Sequence, residues 1–274
     1  MDSWKLSYCE WRQERAGHQE ALCTLGNGYM AVRGTGPEAR SDSIHYPGVY
    51  LAGGYNKLET EVEGHVVINE DLVNWPNWLP LSFKIENGQW FELGRVNVLE
   101  FRKEISMEDG HLRRFILFED SEKRKTRLEE RRIVSMDHKH VGAVEWKLTP
   151  INWEGNVTVK SSLDGSVRNE GVKRYKSLNS QHLEVRKMGV AQENIIYLEV
   201  QTNQSEVVMA QTAKVDVYSG SSYCSHGRIT FKKDRLIGQE VEFYCSKLKT
   251  YTIEKIKFEK LNNFENVSFY YGAK

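Results

Sequence analysis

Apolar and polar residues alternate with a period of two in one segment after another. Val144, Trp146 and Leu148 alternate with Glu145 and Lys147, Val157 and Val159 with Thr158 and Lys160, and Val241, Phe243 and Cys245 with Glu242 and Tyr244. Near the C-terminus Ile256 and Phe258 alternate with Lys255, Lys257 and Glu259. This period belongs to a strand with one face in a core and the other in water, so the pattern predicts Ile256 and Phe258 inward and the three charges outward. Sustained helical periodicity is almost absent. Two runs, NIIYLEV and SEVVMAQTAKVDVY, are apolar on both sides and predict strands lying between two layers.

The punctuation agrees with strands. Asn87-Gly88 separates SFKIE from QWFEL, and Asp109-Gly110 separates FRKEISM from LRRFILF. Both dipeptides tolerate the positive φ of a tight hairpin turn. Asp164-Gly165 and Glu154-Gly155-Asn156 add two more breaks. Strands at about ten-residue spacing over most of the chain predict an all-β fold with little helix, a large antiparallel β-sandwich. No internal repeat or low-complexity linker divides the chain. The whole of 1–274 is expected to be one domain with its core at about 15–260. The first 20 or so residues, with Trp4 and Trp11 among polar neighbours, read as an arm packed on the body. The stretch NNFENVSFYYGAK has no cap or closing strand, which predicts a chain cut from something longer.

Charge and composition exclude several functions. The chain has 274 residues, with 38 Lys plus Arg against 38 Asp plus Glu. This balance gives no attraction to nucleic acid or to an anionic membrane. The basic run at 122–127 is followed by Glu129 and Glu130, as on a solvated strand. No segment has the length and apolarity of a membrane span, and the N-terminus MDSWKLSYCEWRQE has no signal-peptide core. Cys9, Cys23, Cys224 and Cys245 are scattered without C-x-x-C spacing, which fits reduced thiols in the cytoplasm. His138-Lys139-His140 lacks an evident third ligand, so no metal site is expected.

Two segments stand out as candidates for binding. In residues 25–36 (LGNGYMAVRGTG), Gly34-Thr35-Gly36 looks like part of a dinucleotide fingerprint. Pro37 follows instead of a helix, so the phosphate-cradle reading fails on context. Two readings stay open for this segment. In one, the glycines serve a turn, a strand and a second turn; in the other, the segment touches a ligand directly. Residues 72–81 read LVNWPNWLPL, placing Trp75, Trp78, Asn74, Asn77, Pro76 and Pro80 together with no charge. Indole faces and amides suit the C–H face and hydroxyls of a sugar. Equally, Pro76 stiffens a buried crossover that the indoles fill. Carboxylates are too abundant for an acid–base pair to be singled out.

In combination these segments resemble the N-terminal domain of glycoside hydrolase family 65. The resemblance rests on residues 20–29 (EALCTLGNGY) with Val32, Arg33 and Gly34, residues 47–53 (PGVYLAG), LVNWPNWLPL, the strand end Thr149-Pro150, and residues 162–165 (SLDG) with Val167 and Asn169. Their order and spacing match over about residues 15–170. The resemblance implies a super-sandwich of the galactose-mutarotase kind. A helical linker and an (α/α)6 catalytic barrel of the same polypeptide are expected to follow it. It also implies an inverting reaction on an α-glucosidic disaccharide, with inorganic phosphate as cosubstrate in phosphorylase members, water in hydrolase members, and no cofactor. No catalytic residue is expected in this chain. Trp75, Asn77, Trp78, Asn27, Tyr29 and Arg33 are the substrate-binding or domain-interface candidates, with a homodimer contact left open. A sugar-stacking Trp78 would make Trp78→Ala lower activity more than stability. A free-standing carbohydrate-binding or dimerisation sandwich is the competing expectation.

Overall fold

The computed structural model describes residues 4–170, 180–224 and 227–261. The strands in chain order are β1 (Lys5–Tyr8), β2 (Leu25–Gly26), β3 (Met30–Val32), β4 (Val49–Leu51), β5 (Tyr55–Val62), β6 (His65–Leu72), β7 (Leu81–Ile85), β8 (Asn97–Ser106), β9 (His111–Glu119) and β10 (Lys125–Val134). They continue with β11 (Val141–Pro150), β12 (Gly155–Asp164), β13 (Leu183–Gln192), β14 (Ile195–Thr202), β15 (Val208–Ser219), β16 (Ser222–Tyr223), β17 (Gly227–Lys233), β18 (Leu236–Cys245) and β19 (Tyr251–Leu261). The fold is all-β and antiparallel. Its one α-helix among the described residues is the seven-residue α1 (Ala16–Leu22), inside the expected N-terminal arm. The rest of that arm supplies β1, which pairs with β8 and forms one edge of the large sheet.

A large sheet runs β1-β8-β9-β10-β11-β19-β15-β14-β13, with β16 attached to β15. A smaller sheet runs β17-β18-β12-β7. The chain passes from one to the other between β11 and β12, where Gly155 (φ 154°) allows the corner. Strand alternation then points Trp146, Leu148, Val215, Val217 and Ile253 of the large sheet at Phe83, Val157, Val159, Val241 and Phe243 of the smaller one. Phe83, Phe91 and Phe118 stack in sequence at centroid separations of 5.1 and 4.7 Å, and Trp146 meets Phe83 edge-on at 6.3 Å. β15, expected to be covered on both faces, is buried along most of its length. The trailing segment 262–274 lies outside the described residues.

Asp109-Gly110 forms the β8–β9 hairpin turn with Gly110 at φ 64°. Asn87-Gly88 also turns, but residues 89–93 do not form the expected partner strand. Phe91 donates one backbone bond to Phe83 (2.7 Å) and then packs as a core side chain.

The inward face of β19 is the reverse of the expected one. Lys255, Lys257 and Glu259 have no exposed surface, whereas Ile256 is exposed. Lys255 Nζ donates to the carbonyls of Pro80 and Ser162, both at 2.9 Å. Lys257 pairs with Glu259 and lies 2.9 Å from Met30 Sδ. Burial pushes both lysines down and Glu259 up. The cause of the reversal is the neighbour. β19 faces an irregular crossover whose carbonyls have left water and need donors, and an apolar face could supply none.

Lys103 on β8 follows the same logic. Its ammonium donates to Gly34 O (2.8 Å), and burial lowers its pKa from 10.5 to about 8. Between those values the unfolded chain holds a proton that the folded chain has lost, so this group makes stability rise with pH. Urea unfolding of the wild type and of Lys103→Met will show this. The stability difference moves toward the wild type by on the order of 2–3 kcal/mol from pH 7.5 to pH 10. A difference that does not change with pH would mean that Lys103 stays charged inside.

Candidate functional site

An open cleft of about 730 Å³ lies on the outer face of the smaller sheet. Strand parity aims Ser82 of β7, Lys160, Ser162 and Asp164 of β12, and Phe231 of β17 into it. Gly238 of β18 stands opposite Phe231, and any Cβ there would lie 2.3 Å from the phenyl ring. This glycine therefore lets Phe231 lie across the sheet. Trp90 forms another wall, with Lys160 Nζ 3.8 Å and Lys84 Nζ 5.1 Å from its ring centroid.

The lip of the cleft is a strap, residues 33–42, and buried charges hold it in place. Arg114 of β9 reaches Glu38 through Nη1 and Nη2, both at 2.7 Å, and Glu130 of β10 through Nε at 2.7 Å. Arg132 reaches the same Glu130 (2.7 Å) and donates to the carbonyls of Thr35 (2.8 Å) and Arg33 (3.3 Å). Trp146 Nε1 adds a donor to Glu130 (3.2 Å). The two guanidinium groups hold the Glu130 carboxyl down at about 2 against the opposing effect of burial. Gly34 and Gly36 are needed for this fit: a Cβ would lie 2.6 Å from Cys23 O at the first and 2.7 Å from Arg114 Nη1 at the second. The turn-and-strand reading of residues 25–36 therefore accounts for these glycines. Pro37 O then accepts from Leu81 N (3.0 Å), joining the strap to the end of LVNWPNWLPL.

That tryptophan-rich segment is the crossover from the two-stranded β5–β6 sheet to β7 of the smaller sheet. Trp75 and Trp78 have no exposed surface. Their indoles lie against glycines: a Cβ on Gly54 would sit 2.4 Å from Trp75 Nε1, and one on Gly142 2.8 Å from Trp78 Cζ2. The asparagines satisfy the backbone. Asn74 Oδ1 accepts from Val49 N (2.9 Å), and its Nδ2 donates to the carbonyls of Pro47 and Arg168, both at 3.1 Å. Asn77 Oδ1 accepts from Leu79 N (3.0 Å), while its backbone bridges to Asp164. Asn74 and Asn77 line the cleft and the indoles do not. The packing reading fits Trp75 and Trp78, because neither ring presents a face to a ligand within this chain.

The other candidates are dispersed. Asn27 closes the β2–β3 turn, accepting from Tyr29 N and Met30 N, and donates to Ser135 O (2.7 Å) and Lys139 O (3.1 Å). Tyr29 stacks edge-on against His140 at 4.7 Å, and burial pushes its phenol up to about 12. Arg33 clamps the strap through Tyr46 O (2.9 Å) and Gly17 O (3.3 Å), with its guanidinium over the Tyr46 ring. Tyr46 lines the cleft, so Arg33 backs that wall, whereas Asn27 and Tyr29 lie at the β10–β11 turn. Sequence reasoning missed Trp90, Phe231, Lys160 and the network of Arg114, Glu130 and Arg132. The available signal was charge at the inward parity of a strand: Arg114 between Leu112 and Ile116, and Glu130 and Arg132 between Leu128 and Val134. Among the described residues no three His, Cys, Asp or Glu side chains gather as a metal site.

The family model "Glycosyl hydrolase family 65, N-terminal domain" matches residues 6–258. This chain belongs to that family. An uncharacterized glycosyl hydrolase of Mycobacterium tuberculosis is 35% identical over 93% of the chain and 19% of its own length. A kojibiose phosphorylase of Caldanaerobacter subterraneus subsp. tengcongensis is 30% identical over 92% of the chain and 32% of its own. A trehalose 6-phosphate phosphorylase of Lactococcus lactis is 26% identical over 93% of the chain and 35% of its own. A solved structure assigned as a kojibiose phosphorylase from the human microbiome superimposes with a TM-score of 0.80 at 15% identity, covering 94% of the chain and 32% of that protein. The chain thus spans at most about a third of these relatives.

The seating of Trp78 on Gly142 predicts a coupled pair. Trp78→Ala costs about 3–5 kcal/mol of stability, and Gly142→Val about 1–3 kcal/mol. In the double variant the added isopropyl group enters the vacated space, so the two losses sum to less than their total. Chemical denaturation of the four proteins measures this. Strict additivity would separate the two side chains.

Proposed function

We propose that this family 65 chain is the non-catalytic N-terminal sandwich of an enzyme that cleaves an α-glucosidic disaccharide with inversion, by phosphorolysis to β-glucose 1-phosphate. The observation that carries the reading is the family match over residues 6–258 in a chain spanning 32% of a kojibiose phosphorylase. In this reading a glutamate of an (α/α)6 barrel protonates the leaving oxygen. Inorganic phosphate attacks the anomeric carbon from the opposite face, and the separation of acid and nucleophile leaves room for it. The sandwich holds the barrel in place, with the crossover and its flanking turns at that junction. In this reading Asn27 and Tyr29, beside Ser135, Lys139 and His140, belong to the domain contact. Cys23 and Cys245, buried as free thiols, suit a reducing compartment such as the cytoplasm.

Incubated with phosphate and kojibiose, maltose or trehalose, the 274-residue chain alone releases no glucose 1-phosphate. Fused to the linker and barrel of a family phosphorylase, it supports phosphate-dependent release. Product from the chain alone would overturn the non-catalytic assignment. Release that needs no phosphate would replace phosphorolysis with hydrolysis.

A further inference from the structure

Lys160 and Arg40 line the cleft beside Trp90, and Lys84, outside the cleft lining, reaches the same indole. Lys160 Nζ lies 3.8 Å and Lys84 Nζ 5.1 Å from the ring centroid, and Arg40, on the strap, adds its charge to the same corner. None of the three has an ion-pair partner among the described residues. Of the five carboxylates lining the cleft, four are engaged elsewhere and, among the described residues, Glu170 is not. Asp42 accepts from the backbone amides of Ile44 and His45. Glu38 is held by Arg114, Glu92 pairs with Arg95 at 2.6 Å, and Asp164 accepts from the amide and hydroxyl of Ser166. Glu240 faces Lys160 across the β12–β18 ladder without reaching ion-pair distance. The Lys160 ammonium is disfavoured by burial and by repulsion from Arg40 and Lys84, with Glu240 and Glu92 only partly opposing. Like charges gathered in a half-buried site and only partly opposed by carboxylates are electrostatically unfavourable, and an anion placed between them reverses the sign.

We propose that this corner binds an anion of the phosphate class, either free or as a small phosphate monoester, with Lys160, Arg40 and Lys84 as its ligands. Ammonium and guanidinium groups supply the donors that a phosphate's oxygens accept, and charge-assisted bonds of this kind are the strong ones. A monoester's organic part has room along the cleft toward Phe231, which Gly238 keeps flat on the sheet. The strap's anchoring by Arg114 and Arg132 presents Arg40 on a fixed lip, so little ordering is required on binding.

The test is isothermal titration of the 274-residue chain with inorganic phosphate and with glucose 6-phosphate, at ionic strength matched by sodium chloride. Glucose serves as the uncharged control. Saturable one-site binding of at least one phosphate ligand is expected, with none for glucose. Lys160→Gln weakens it at least about tenfold. Arg40→Gln, at an exposed position, weakens it several-fold, and Lys147→Gln on the large sheet leaves it unchanged. Equal affinity for the two ligands means that the phosphate group alone is read. Tighter binding of glucose 6-phosphate adds a contribution from the Phe231 wall. Absence of saturable binding overturns the proposal. So does binding that survives both Lys160→Gln and Arg40→Gln, or that falls equally with Lys147→Gln. None of these outcomes bears on whether a longer polypeptide performs phosphorolysis.

Discussion

Backbone carbonyls brought indoors without a strand partner must find donors, and this requirement organises the molecule. Two irregular segments cross the interior: the strap at 33–38 and the crossover at 73–80. Their carbonyls are met by long polar side chains rising from the large sheet. Arg132 and Lys103 serve Arg33, Gly34 and Thr35, Lys255 serves Pro80, and Gln211 serves Pro76. The sheet can offer these groups because strand alternation places every second side chain against the segment. The sandwich thus has an apolar centre and a polar seam, and the seam fixes where the loops lie.

The seam carries more positive than negative charge. Arg114, Arg132 and Lys103 face Glu38 and Glu130, and burial drives Lys103 toward its neutral form. Leaving a partner unpaired in such a site is far more damaging than the pair is stabilising, so these residues act by specifying one arrangement of the strap. A strap held by bidentate guanidinium–carboxylate contacts cannot slide by one residue without losing several charge-assisted bonds at once. The outer lip of the cleft inherits this rigidity, and the aromatic and cationic groups lining it are displayed on a fixed frame.

Much of the architecture was legible because period two and turn chemistry are local signals. The β11, β12 and β18 alternations and the Asp109-Gly110 turn read directly. β19 did not, because Lys255, Lys257 and Glu259 look like a wet face unless one knows that carbonyls lie opposite. That knowledge is non-local: Pro80 is 175 residues away from Lys255 in the chain. Residues 89–93 failed for the opposite reason. QWFEL has strand-like composition, yet Phe91 is drawn into the aromatic stack with Phe83 and Phe118, and one backbone bond remains of the ladder. The tryptophans of LVNWPNWLPL were readable as costly side chains, with burial and sugar contact both left open. Their seats are Gly54 and Gly142, each about twenty or more residues distant, and a glycine reveals nothing about what will fill the space above it.

The same crossover links fold to function. Its indoles close the core on one side, and its asparagines line the cleft on the other. A segment with both duties transmits displacement: Trp78 cannot shift on Gly142 without moving Asn77, whose backbone bridges to Asp164 on the cleft floor. The tight packing of the interior makes such movement discrete rather than gradual. In the proposed role beside a catalytic barrel, this stiffness keeps a docking surface from deforming and misplacing the groups it positions. The tryptophans therefore hold their polar neighbours Asn74 and Asn77 rigidly at the wall of the cleft.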